Sequence, residues 1–532
     1  MAVIKTAFVS ALYLLLATGI LGQNANIERL ANANDYPNSG YNDVWGYVDS
    51  AGVEYAILGV RSGTAVYSLE NPKAPVRRAF IPGAQSVWRD MKSYAGFVYA
   101  VADQGADGIL AIDMRKGPAN ITHQFYRPAI QNLSVDRCHN LYIDEKGTMY
   151  LSGCNLNNGG VLLFDVATKP GLPQLLGLSQ NRYSHDNFAR GDTLWSADVY
   201  DGFFSVTDVR QKSAPRLLAT QTTSSSFTHN CWLSDDGTTL FTTDEKTLGT
   251  VDAYDVRDLN NIRFLDRFLP STAAANGAIP HNVHYFKGFL ATSWYTEGVV
   301  ITDAHRPGNL VEVGRYDTYP GTQRGFYGCW GAFPFLPSGL LLASDIQSGL
   351  FVLQPRYQRA CYLEGSVRDS VSGTPIVGAK IQALGGGIAE QSDAQGLFKG
   401  GRLRPGTERI VVSALGYRSD TLLVDLQTGV VQERHVRLKK EAAVTSTPEG
   451  FAQAGYAIRV FPNPCPDPCR MEWELPAPSA SASLEIWSAQ GVRIEVATTP
   501  GTVEFSQLPP GWYVAVLRAD GAVRAAKPFV KL

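Results

Sequence analysis

The chain has 532 residues, a near-balanced charge of 47 Lys and Arg against 49 Asp and Glu, 11% aromatic residues and five Met. That length exceeds one ordinary hydrophobic core and calls for about two to four domains. The charge balance leaves no basic footprint for nucleic acid, and the aromatic-rich, Met-poor composition suits strands better than helices.

Residues 1–22 run from Lys5 through an apolar stretch at 7–21 to small residues. Charge, apolar core and small-residue exit in that order describe a secretory signal peptide, with a cut expected near Gly19 or Gly22. No later run approaches membrane-spanning length, so no transmembrane segment is expected once the signal is removed.

From residue 45 a unit of four short apolar runs and three tight turns repeats, most completely at 281–316, HNVHYFKGFLATSWYTEGVVITDAHRPGNLVEVGRY. Two markers count it. The first turn carries Gly52, Gly96, Gly147, Gly191, Gly237, Gly288 and Gly339, 44 to 51 residues apart; the third run closes at Ser68, Asp113, Asp165, Asp208, Asp255, Asp303 and Gln354. That spacing is the period of a four-stranded propeller blade. The seventh unit lacks its outermost strand, and residues 26–33, NIERLANA, resemble the missing element. We therefore expect a seven-bladed β-propeller over residues 24–356, closed by strand 26–33, which removes the free sheet edge. Seven blades close on themselves, so a monomer is expected. The Arg190-Gly191-Asp192 tripeptide and the Asp235-Asp236-Gly237 fragment both fall on the first turn, and turn geometry accounts for them.

The innermost runs open on Trp45, Trp88, His139, His185, His229, His281 and Trp330, while the adjacent runs end on Asp103, Asp198, Asp244 and Asp345. Antiparallel pairing brings the start of one strand beside the end of the next, so imidazoles and carboxylates converge at one mouth of the central channel. His139, His185, His229 and His281 with Asp103, Asp198 and Asp244 are the candidate ligands of a divalent metal or the groups of an acid–base site. The competing reading makes the same residues structural, satisfying buried backbone groups between blades.

In an oxidising compartment the seven Cys matter. Cys138 and Cys154 face each other across the third blade's first hairpin and are disulfide candidates. Cys465 and Cys469 form a C-x-x-x-C pair with no nearby His or second Cys pair to complete a zinc site, and a local disulfide is open to them.

The phrases GVLLFDVATKPGLPQLLG, GVVITDAHRPGNLVEVG, YNDVWGYVDSAGVEYAILGVRSGTAVYSL and GCWGAFPFLPSGLLLASDIQSGLFVLQP resemble the LVIVD-repeat, "choice-of-anchor B" family of secreted bacterial propellers over residues 24–355. The resemblance implies a constant propeller with varying surface anchors and brings no catalytic residues. Residues 359–438, with GSVRDSVSGTPIVGAKIQAL and the Gly416-Tyr417 pair, resemble a carboxypeptidase regulatory-like β-sandwich, which implies a spacer or contact module without peptidase chemistry. Residues 439–458 have no apolar period and read as a linker.

Residues 459–532, with the Pro462-Asn463-Pro464 turn, Gly511-Trp512-Tyr513 and the closing KPFVK, resemble a type IX secretion C-terminal sorting domain of the Bacteroidota. The inserted Cys465 and Cys469 depart from that pattern. The resemblance implies the type IX machinery as partner and the outer surface of a Gram-negative cell as destination. Two functions follow as expectations: a non-catalytic binding or adhesion module for a surface glycan or protein, and a metal-dependent hydrolase or lactonase working at the channel mouth.

Overall fold

The computed structural model describes residues 24–441, 451–466, 468–477, 481–488, 492–505 and 508–532; the expected signal peptide and residues 442–450 of the expected linker lie outside the described residues. The chain divides after Lys439 into two units.

The first unit opens with seven four-stranded antiparallel blades. Their first strands are Tyr41–Val48, Arg89–Tyr94, Asn140–Ile143, Asp186–Arg190, Thr228–Leu233, Val283–Phe286 and Cys329–Phe333. Each touches the next in order and the seventh touches the first, so they line a closed ring. The architecture is a seven-bladed β-propeller. All seven first-turn glycines have left-handed backbone, with φ from 58° to 85°, a conformation that costs a residue with a Cβ. The aspartates closing the third strands are turn-makers. Asp113, Asp165, Asp208, Asp255 and Asp303 each accept the backbone N–H two residues on, which holds the chain in a tight turn.

Closure uses the N-terminal segment twice. Asn24–Ala25 adds a fifth strand to blade six, pairing Asn24 with Tyr316. Ile27–Ala33 is the outermost strand of blade seven, pairing Ile27 with Pro355 and Ala33 with Leu350. Asn26 makes the switch with φ 55° and donates its side-chain amide to Val313 O at 3.0 Å. Asn tolerates that conformation better than most residues. Cys138 and Cys154 are joined by a disulfide beneath blade three.

A small β-sandwich follows. Cys361–Asp369, Leu397–Arg402 and Val431–Leu438 form one sheet; Lys380–Ala383, Ala389–Gln391, Gly406–Ser413 and Asp420–Leu426 form the other. Leu363, Val367, Ile381, Phe398, Ile410, Val412 and Val424 fill the space between them. The sandwich packs on the rim of blades five and six. Tyr362 and Leu403 join an apolar cluster with Phe289, Val299 and Val311. Around it, Arg306 forks onto Glu364 at 2.9 Å and Lys399 reaches Asp266 at 3.1 Å. Asp303 binds Arg359 and the Ala360 N–H, both at 2.8 Å. Burial opposes the Asp303 charge, yet these donors hold its carboxyl below the usual range.

The second unit is another two-sheet sandwich. Phe451–Ala452, Ala522–Lys531, Gly511–Ala519, Ser483–Ser488 and Arg493–Ala497 make five strands; Ala457–Phe461, Cys469–Glu474 and Gly501–Phe505 make three. Trp473, Met471, Leu484, Ile486 and Phe529 are at its centre, and Cys465 is disulfide-bonded to Cys469. The linker expected to end at 458 is shorter. Phe451 and Ala452 pair with Ala526 and Ala525, and Ala457 opens a strand. Backbone pairing requires no apolar period, so the sequence carried no signal of it. Among the described residues no helix is long and apolar enough to cross a membrane.

Candidate functional site

Six aromatic side chains follow one another around the channel mouth. Ring centroids are 6.3 Å apart from Trp88 to His139, 3.9 Å to His185, 4.2 Å to His229, 4.5 Å to His281 and 4.7 Å to Trp330. They come from the starts of the innermost strands of blades two to seven. All of these rings except His185 line a recess together with Asp43, Arg89, Asp90, Asn140, Asp186 and Asn282; its empty space, including the part open to solvent, is about 280 Å³. Trp45 is not part of this arc. A bulge between Tyr41 and Val44 shifts the register of the first strand, placing Asp43 at the mouth and Trp45 deeper, against Phe333, Phe335 and His284.

The four imidazoles fall into two pairs. His139 Nδ1 bonds Asp103 Oδ2 at 2.9 Å, and His185 Nδ1 bonds Asp186 Oδ1 at 3.0 Å. In the second pair Nδ1 meets backbone: His229 with His281 O at 3.2 Å and His281 with Trp330 O at 2.6 Å. Their other nitrogens face one carboxylate. His229 Nε2 lies 3.6 Å from Glu245 Oε2, and His281 Nε2 lies 3.9 Å from Glu245 Oε1. The Tyr295 hydroxyl donates to Glu245 Oε1 at 2.5 Å.

Burial pushes the His229 ring well below its ordinary pKa, with His185 and His281 adding to it, and lowers His281 to about 3. Both are neutral at physiological pH. Burial also raises Glu245, to about 7, against the opposing Tyr295 hydrogen bond. Asp186 behaves oppositely: burial opposes its charge, but the imidazoles around it, with His185 hydrogen-bonded to it directly, hold it well below the carboxylate range. Across the cavity, burial and the neighbouring Asp90 push the Asp43 carboxyl well up. Asp90 is held by Lys92 Nζ at 2.5 Å and by the Asn140 side-chain amide at 2.8 Å.

Of the residues singled out from sequence, His139, His185, His229, His281 and Asp103 therefore meet at the mouth, while Asp198 and Asp244 turn elsewhere. Asp198 is paired with Arg182 at 2.9 Å, and burial raises its carboxyl to about 6. Asp244 accepts from the Thr223 hydroxyl at 2.5 Å and from the Ser225 N–H. Asp345 likewise takes the Thr318 hydroxyl at 2.9 Å. Besides Asp103, the carboxylates that face these imidazoles are Asp186 and Glu245, each one residue along the chain from a residue singled out in sequence. Side chains of neighbouring residues leave an extended chain on opposite sides, so a shift of one position exchanges the groups presented to the channel.

Comparison with known proteins reaches the parts of the chain unequally. Residues 362–439 match the carboxypeptidase regulatory-like domain family. This chain carries that domain. Among solved structures, the Cps50 (Swd1) β-propeller domain of Myceliophteria thermophila is similar with a TM-score of 0.44 and 11% identity, over 62% of this chain and all of that one. No curated protein matches the chain.

Proposed function

We propose that the chain is a secreted, cell-surface binding propeller whose ligand face is the channel mouth and whose ligand is a glycan. The rim of the mouth carries the reading. Tyr200, 73% exposed, lies tilted against Tyr183 with ring centroids 4.8 Å apart, and Tyr183 lies 6.3 Å from His185. Phe326, 59% exposed, stands edge-on to Tyr295 at 5.3 Å. Trp88 lines the cavity itself. Aromatic side chains left in water around a polar cavity mark a binding surface. A sugar ring offers C–H faces to them and hydroxyls to the carboxylates and imidazoles between. Export rests on the signal pattern of residues 1–22, and passage across an outer membrane on the resemblance of 459–532 to a type IX sorting domain.

The test is titration of the full chain with a panel of oligosaccharides, beside Tyr200→Ala and Phe326→Ala. Each truncation is expected to weaken binding at least about tenfold, roughly 1.4 kcal/mol. A parent that binds no member of a broad panel, or variants that bind equally, would overturn it.

A second reading, metal-dependent hydrolysis or lactone opening at the same mouth, is favoured by broken symmetry. Histidine opens four of the seven innermost strands, and the Glu245–Tyr295 contact joins blade five to blade six alone. A cement repeated from blade to blade has no need of that single contact.

A further inference from the structure

We propose that His229 Nε2, His281 Nε2 and the Glu245 carboxylate form a centre for one divalent transition ion of the zinc class. This goes beyond glycan binding and does not rest on it.

The argument begins with the tautomers. A backbone carbonyl only accepts, so the Nδ1 atoms of His229 and His281, which meet His281 O and Trp330 O, both carry the proton. Each Nε2 is then a bare lone pair. Both face the same carboxylate, on different oxygens, at 3.6 and 3.9 Å. These gaps are longer than hydrogen bonds. Two imidazole acceptors opposite a third acceptor form an arrangement that a cation satisfies at every atom; one proton on Glu245 could serve only one of the two rings.

Dimensions agree with this. The three ligand atoms lie within 4.8 Å of one another. Around a tetrahedral ion with bonds of about 2.1 Å, neighbouring ligand atoms stand roughly 3.4 Å apart, so the two imidazole–carboxylate gaps are a few tenths of an ångström too wide and no pair has to close by more than about 1.4 Å. The supports are also in place: carbonyls fix the ring tautomers, and the Tyr295 hydroxyl orients Glu245. Two imidazoles and one carboxylate select zinc-like ions over calcium or magnesium, which take oxygen ligands. Three protein ligands leave a fourth position open to the cavity.

The neighbouring set of His139, His185 and Asp186 also lies within ligand distance. Its carboxylate, however, is already occupied by His185 Nδ1 at 3.0 Å and the Asn230 amide at 2.9 Å, so it offers less to an ion.

The full chain, purified without chelator and without a histidine tag, should be titrated with zinc against a chromogenic chelator and examined with cobalt(II) by visible absorption. The parent is expected to bind one equivalent below micromolar and to give an intense cobalt spectrum. Glu245→Gln, which keeps the shape and an acceptor for Tyr295, should weaken zinc at least about 100-fold. Tyr295→Phe, which removes one hydroxyl and serves if the first variant folds poorly, should weaken it about tenfold. Asp244→Asn, beside the centre in sequence but turned away, should bind as the parent does. A folded parent with no zinc affinity better than millimolar, or Glu245 and Tyr295 variants that bind like the parent, would overturn the proposal. Glycan binding is read separately, so either result can fail alone.

Discussion

Blades three and four hold their channel histidines with carboxylates; blades five and six hold theirs with the backbone. The four residues start equivalent strands, and their rings stand 3.9 to 4.5 Å from one another in succession. What differs is the group the surroundings set against Nδ1. A carboxylate places a negative charge beside the ring, whereas a carbonyl places none, and a buried ring without that charge stays neutral. A repeat can thus give one residue two chemistries: imidazoles tied to acids on one side of the mouth, lone pairs free to bind on the other.

The contrast breaks most visibly at Asp186. Its carboxylate takes both the His185 ring and the Asn230 amide, so Asp186→Ala strands one buried and one partly buried donor. Urea unfolding is expected to show a loss of about 3 kcal/mol. A loss under about 1 kcal/mol would show that the acid-held pair contributes little to blade packing.

A pH experiment sharpens the neutral side. His284, deeper in the channel, is enclosed by Trp45, Trp232 and Phe335, and burial lowers it to about 3, with Lys92 adding to the shift. The unfolded chain takes up that proton near the ordinary value of about 6.5 and the folded chain does not. Its contribution is therefore complete above that pH, and stability falls as pH drops from about 6.5 towards 3, by up to about 1.4 kcal/mol per pH unit. His284→Leu should flatten this limb in chemical denaturation series. An unchanged slope would place the acid sensitivity elsewhere.

The smallest effect is expected from Asp103→Asn. The amide oxygen still accepts from His139, so the residue moves from the acid-held class to the carbonyl-like class without losing its bond. Stability in urea unfolding should change by less than about 1 kcal/mol; a loss above about 2 kcal/mol would show that the carboxylate charge itself, and not the bond, holds the His139 ring.

Much of the propeller was legible because turns choose residues locally. The first turn needs left-handed backbone and so takes Gly; the end of the third strand needs an acceptor two residues from an N–H and so takes Asp. Both requirements recur with the blade: the glycines count seven, and the third strand closes on Asp in five blades and on Ser68 and Gln354 in the first and last. The histidine arc was legible for the same reason, since it recurs at the strand start. Its partners were not. Asp103 reaches His139 across 36 residues, and Glu245 meets histidines from its own blade and the next. A single bulge in the first strand was enough to exchange Trp45 for Asp43 at the mouth.

The sandwich after the propeller shows the same division at larger scale. Its Gly and Asp punctuation marks it as a separate β module, and the match over residues 362–439 agrees. Nothing in that punctuation announces that Arg359 and Glu364 reach Asp303 and Arg306 to fix it against blade six. Amino-acid order alone determined strands, turns and the count of blades, because each depends on backbone conformations a few residues long. Tertiary structure decided which oxygen stands opposite each imidazole, and with it which rings keep a free lone pair, because those partners come from separate turns of the chain and meet only when the ring closes.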